Sequence, residues 1–160
     1  MMTNKFATNT LLLFGLALLV NVASADDRRP YDEAADARQD VRVALKTAAA
    51  ENKAVLIVFG GNWCGDCKVL DMEMHQGDLA RLVEQRLVVV KVDVGRFDRN
   101  LDVAAQYGKI LKNGVPSVAL VRADGSVAFQ TDGGELADAR KMGREGITRF
   151  FKSMLEKTKR

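Results

Sequence analysis

The chain has 160 residues, with 24 Lys and Arg against 21 Asp and Glu and a formal net charge of +3. That balance leaves no dense basic face for nucleic acid, and 48% apolar residues suit one soluble globular domain rather than a disordered chain. Two cysteines exclude a disulfide framework, and with one histidine they cannot complete a four-ligand Cys/His zinc site.

The N-terminus carries one charge, Lys5, then the apolar run Leu11–Val20 and the triplet Ala23-Ser24-Ala25. This is the pattern of a secretory signal peptide cut after Ala25, because a membrane-spanning helix needs roughly twenty apolar residues. Residues 1–25 are therefore expected to be a leader and 26–160 a single mature domain. From Asp32 to Glu51, residues such as Ala37, Val41, Ala44 and Ala48 recur at helical spacing. Ala54–Phe59 is a short apolar run closed by two glycines, which fits a strand buried on both faces. Cys64–His75 predicts a helix, with Gly77 interrupting it and Asp78 capping a continuation. Leu87–Val94 predicts a second strand, and Asp98–Tyr107 a short helix stopped at Gly108. Ser117–Val121 and Ser126–Gln130 flank Ala123-Asp124-Gly125 as a hairpin. Residues 131–143 read as a loop with about one helical turn. Ile147, Phe150, Phe151, Met154 and Leu155 mark a closing helix. The order α-β-α-β-α-β-β-α predicts an α/β fold, a central mixed sheet of about four strands flanked by helices.

The chemistry concentrates at Trp63-Cys64-Gly65-Asp66-Cys67. Two cysteines three apart, where a buried strand turns into a helix, are placed to form a disulfide. Cys64 would sit at the helix start, where unpaired N–H groups and the dipole stabilise a thiolate. Its sulfur is expected to be exposed, with Cys67 shielded one turn in. Cys64 then attacks and Cys67 resolves. A bridge closing so short a loop stabilises the fold little, which favours a redox role over a structural one.

Together with Gly114-Val115-Pro116 and the closing helix, the run Val55–Cys67 resembles the thioredoxin superfamily. The resemblance is to exported thioredoxin-like proteins, some labelled disulfide isomerases, and to the carboxy-terminal domain of the transmembrane thiol reductase family. Val94–Tyr107 and Gly133–Met142 add to it, and it covers nearly all of residues 31–157. It implies a thioredoxin-like fold and an exported, periplasmic thiol–disulfide oxidoreductase, with the reductase or isomerase direction favoured and no cofactor. The implied partners are exported proteins with cysteines or disulfides, with a membrane thiol reductase supplying electrons.

The resemblance also implies a cis Val115–Pro116 bond facing the disulfide, with Val115 and Pro116 as a substrate platform and Trp63 bordering Cys64. Read without it, Pro116 is equally an ordinary strand-start proline and Trp63 a packing aromatic. Two positions depart from the family. Val58 stands where cytosolic thioredoxins have a buried acid, and Gly65-Asp66 stands where they have Gly-Pro. Gly65 and Asp66 are thus tuning positions. Asp66 is expected to be solvated, and its charge opposes a nearby thiolate. The rival readings are a non-enzymatic thioredoxin-fold protein whose CxxC holds copper or another soft metal, and a fold-only interaction protein. Against a metal site, His75 reads as a surface residue, and Met72 and Met74, two apart on a helix, point in different directions.

Overall fold

The computed structural model describes residues 29–132 and 134–157, so the proposed leader lies outside the described residues. Nine elements follow in order: α1 (Ala37–Glu51), β1 (Ala54–Gly60), α2 (Gly65–Met74), α3 (Gly77–Arg86), β2 (Leu87–Asp93), α4 (Leu101–Ala105), β3 (Ser117–Val121), β4 (Val127–Gln130) and α5 (Ala139–Glu156). The sheet order is β2-β1-β3-β4. β1 runs parallel to β2 and antiparallel to β3, which is antiparallel to β4. The helical crossover and the hairpin expected from the sequence are both present.

β1 is central because its side chains feed two cores. Alternate strand residues point to opposite faces. Val55, Ile57 and Phe59 join α1 and α4 on one face, with Tyr31, Cys64 and Cys67 in the same cluster. Leu56 and Val58 join α2, α3 and α5 on the other. A strand covered on both faces has no polar side to show, hence the unbroken apolar run.

Several element boundaries differ from the sequence expectation, and the first is α1, which starts at Ala37 rather than near Asp32 because the Asp36 side chain caps it by accepting the Gln39 N–H. The break at Gly77 (φ 56°) falls where the sequence places it, between α2 and α3, but Asp78 does not cap the second helix. Gln76 takes the N-cap position there, and Asp78 pairs with Arg81 inside the first turn. The expected Asp98–Tyr107 helix is only Leu101–Ala105. Phe97 and Asn100 are left-handed, the Asp98 side chain accepts the Arg96 N–H at 2.9 Å, and Asn100 Nδ2 donates to the Asp93 carbonyl at 2.8 Å. These side chains bond to nearby backbone and hold a loop where spacing alone suggests helix. Finally, α5 begins at Ala139, inside the expected loop, and kinks at Gly143 (φ 62°, ψ 176°).

Candidate active site: the Cys64–Cys67 pair at the start of α2

β1 ends at Gly60, and four residues later the chain enters α2 with Cys64 as its N-cap. Cys64 and Cys67 are disulfide-bonded, their Cα atoms 5.2 Å apart, inside the usual span for such a bond. The Cys67 N–H donates to Cys64 Sγ at 3.1 Å. Cys64 Sγ thus caps the helix, and a first-turn N–H is aimed at the sulfur that would carry negative charge on reduction, the arrangement that depresses a thiol pKa. Burial corrects one expectation. Cys64 is only 6% exposed, against 0% for Cys67, so its sulfur is nearly covered rather than projecting. The asymmetry between the two remains.

Cys64 Sγ lies 3.6 Å from the Val115 carbonyl oxygen. The Val115–Pro116 bond is cis, and both residues are buried. Ser117 Oγ donates to the Gly114 carbonyl at 2.8 Å, which fixes the turn that carries them beside the disulfide. Trp63 is 45% exposed. Its Nε1 donates to the Gly95 carbonyl at 2.6 Å, its ring meets Phe97 edge-on, and the Arg96 guanidinium lies 5.5 Å from the ring centre. An aromatic and cationic rim thus stands beside the pair.

Asp66 is not the solvated carboxylate expected from the sequence. Its side chain is 13% exposed and is held from α5: Arg140 donates to it through Nη2 at 2.9 Å and through its backbone N–H at 3.0 Å. The guanidinium also lies against Gly65, where an added Cβ would meet it at 3.4 Å. Burial pushes the Asp66 carboxyl up, but the two Arg140 hydrogen bonds and its charge outweigh this and hold it below the usual range. The cation that the motif lacks in sequence arrives from 74 residues away. It offsets the Asp66 charge that would oppose a Cys64 thiolate. A second pair, Arg144 Nε to Glu73 at 2.8 Å, ties α5 to the far end of the same helix.

A depressed folded-state pKa gives stability that is full above the unfolded value and is lost as pH falls through the folded one. Asp66→Asn should therefore be less stable than the parent near neutral pH. The gap should close as pH drops below about 4, the range of an unperturbed Asp. Denaturant melts of both proteins across that range check it, and a gap independent of pH would contradict the pairing.

Tyr31 forms the wall behind Cys67, a role that nothing in its local sequence marks. Tyr31 is buried, and its backbone is locked to the loop before Cys64. Its N–H donates to Asn62 Oδ1 at 3.0 Å, and Asn62 Nδ2 donates back to its carbonyl at 2.9 Å. Glu33, two residues on, accepts from the same Asn62 nitrogen at 2.9 Å. Residues 29–35 thus strap across the site. No local pattern marks Tyr31, Asn62 or Arg140, since each acts through a distant partner.

Val58 is apolar and buried, and it faces the other core from the one that holds Cys67. His75 is exposed, with Nδ1 2.7 Å from the Asp71 carbonyl oxygen. Met74 is packed in the α2–α5 core and Met72 is half-buried.

A family model described as thioredoxin-like matches residues 36–123. The crystal structure of a disulphide isomerase from Xylella fastidiosa Temecula1 is similar at 44% identity and TM-score 0.77, covering 80% of this chain and 98% of that one. Thioredoxin-1 of Drosophila yakuba is 44% identical over 50 residues, 31% of this chain and 45% of that protein. Protein disulfide isomerase-like 1-2 of Oryza sativa subsp. japonica is 30% identical over 124 residues, 68% of this chain and 23% of that protein. The chain thus spans less than half the length of these last two relatives. A disulfide-bonded CxxC on this fold supports thiol–disulfide exchange. With the family match running from the cap of α1 past the end of β3, the chain belongs to the thioredoxin-like family.

Proposed function

We propose that the protein is an exported thiol–disulfide oxidoreductase that reduces or isomerises disulfides in other exported proteins. The observation that carries this is the capped pair itself: Cys64 Sγ receives the first-turn N–H of α2 and sits beside the Val115 carbonyl. In the reduced protein, the Cys64 thiolate attacks a substrate disulfide sulfur. One S–S bond forms to Cys64, the substrate bond breaks, and the departing thiolate takes a proton. Cys67, as a thiolate, then attacks Cys64 Sγ and expels the second substrate sulfur, so two electrons pass from the pair to the substrate. In isomerisation the substrate's own thiol resolves the mixed disulfide instead.

Val115 and Pro116 provide the platform for an extended substrate segment, and Trp63 borders the sulfur under attack. Resetting the pair requires an electron donor, and for an exported protein that donor is a thiol reductase in the membrane. Export rests on the leader pattern of residues 1–25; N-terminal sequencing of the secreted chain should begin at Asp26.

The reducing direction is supported by the weakness of the pull against it, not by a charge that drives it. The α2 start favours the dithiol, and with Asp66 and Arg140 offsetting each other no unpaired cation of the motif pulls further that way. Equilibration with glutathione buffers is expected to give a potential nearer about −270 mV than about −120 mV. A value above about −150 mV would overturn the reducing direction and leave an oxidase.

A further inference from the structure

Cys67 is fully buried, so a thiolate there lacks water to solvate it. Its sulfur nevertheless has to ionise to close the cycle. Gly60 shows what lies behind it. A Cβ built on Gly60 would fall 2.9 Å from Cys67 Sγ and 2.5 Å from Tyr31 Cζ, with the Tyr31 hydroxyl nearer still. The phenol head and the sulfur therefore border one space that a single methyl group would overfill. Gly60 keeps that space open, and the paired hydrogen bonds to Asn62 fix the tyrosine backbone beside it.

We propose that the Tyr31 hydroxyl donates a hydrogen bond to the Cys67 thiolate once the disulfide opens, making Tyr31 a positioning residue for the resolving step. The inference rests on the reading of Cys67 as the resolving thiol. The charged groups facing the phenol are the carboxylates of Asp71 on α2 and Asp93 at the end of β2. Asp71 pairs with Lys91, and Asp93 lies 3.5 Å from Arg99. Burial first, then those two carboxylates, push the phenol well above its usual range. It therefore keeps its proton and acts as a donor, never as a base. In the resolving step the Cys67 proton ends on the departing substrate thiolate, and the Tyr31 proton stays on its oxygen while steadying the charge between.

Tyr31→Phe removes the hydroxyl and keeps the ring. In a Cys64→Ser background, ultraviolet titration of the Cys67 thiolate should show its pKa raised by about one unit. With both cysteines present, release of substrate from a preformed mixed disulfide should slow about tenfold at neutral pH, with its pH profile displaced upward by the same unit. A role in packing alone would lower the melting temperature and leave both profiles in place. Should Tyr31→Phe fold poorly, 3-fluorotyrosine at position 31, a stronger donor of nearly the same shape, should move the Cys67 pKa downward. An unmoved Cys67 titration in either protein overturns the inference while the parent still exchanges disulfides. A parent that exchanges none overturns the underlying reading, and the inference with it.

Discussion

Cys64→Ser should abolish thiol–disulfide exchange, a loss of at least about a thousandfold, because the one other thiol in the sequence is Cys67. Cys67 cannot substitute for it: its side chain is fully buried, and its N–H already points at Cys64. Cys67→Ser should have a different outcome. The Cys64 thiolate would still attack, but nothing would expel the substrate sulfur, so mixed disulfides with partner proteins should accumulate. Non-reducing electrophoresis of both variants after exposure to a disulfide-bearing substrate separates the roles. Equal trapping by both would reverse or remove the assignment.

Phe151→Ala should be the most damaging single truncation in the α2–α5 core. The ring is fully buried, and it meets Phe150 edge-on at 6.0 Å between centroids. Removing a buried aromatic costs about 3–5 kcal/mol through lost burial and the cavity left behind. That is a large share of a total stability of about 5–15 kcal/mol. Denaturant unfolding should show the midpoint falling with little change in slope. Because α5 also carries Arg140 and Arg144 onto α2, the variant should loosen the helix that holds the cysteines before it affects β1. A loss below about 1 kcal/mol would mean that the core closes over the gap.

What the sequence disclosed and what it hid divide by range. The β1 run, the cysteines at a helix start, the hairpin and the apolar stripe of α5 are written in neighbouring residues, so periodicity and turn chemistry sufficed for them. The solvent exposure of Asp66 could not be read that way, because Arg140 approaches from another element after the chain has crossed the sheet. Tyr31 was hidden for the same reason, since its partner Asn62 lies 31 residues on. The shortening of α4 had a local cause, but one that propensity does not register: Phe97 at φ 65° and Asn100 at φ 48° are single left-handed residues, neither of them glycine. Family resemblance supplied Val115 and Pro116, which composition and spacing alone leave as an ordinary strand entry.

A single hydrogen bond, from the Cys67 N–H to Cys64 Sγ, both caps α2 and touches the redox-active sulfur, and so joins the redox state to the folding equilibrium. Oxidation and unfolding form a closed thermodynamic cycle. Any free energy by which the folded chain favours the dithiol over the disulfide must reappear as extra stability of the reduced fold over the oxidised one. A strongly oxidising site is therefore sturdiest when reduced, and a reducing one is sturdiest when oxidised. A protein working at the reducing end passes, in each turnover, through the weaker of its two folds. The charge-assisted cap on α2 limits that weakening by returning to the helix, in the thiolate state, a better acceptor than a disulfide sulfur provides.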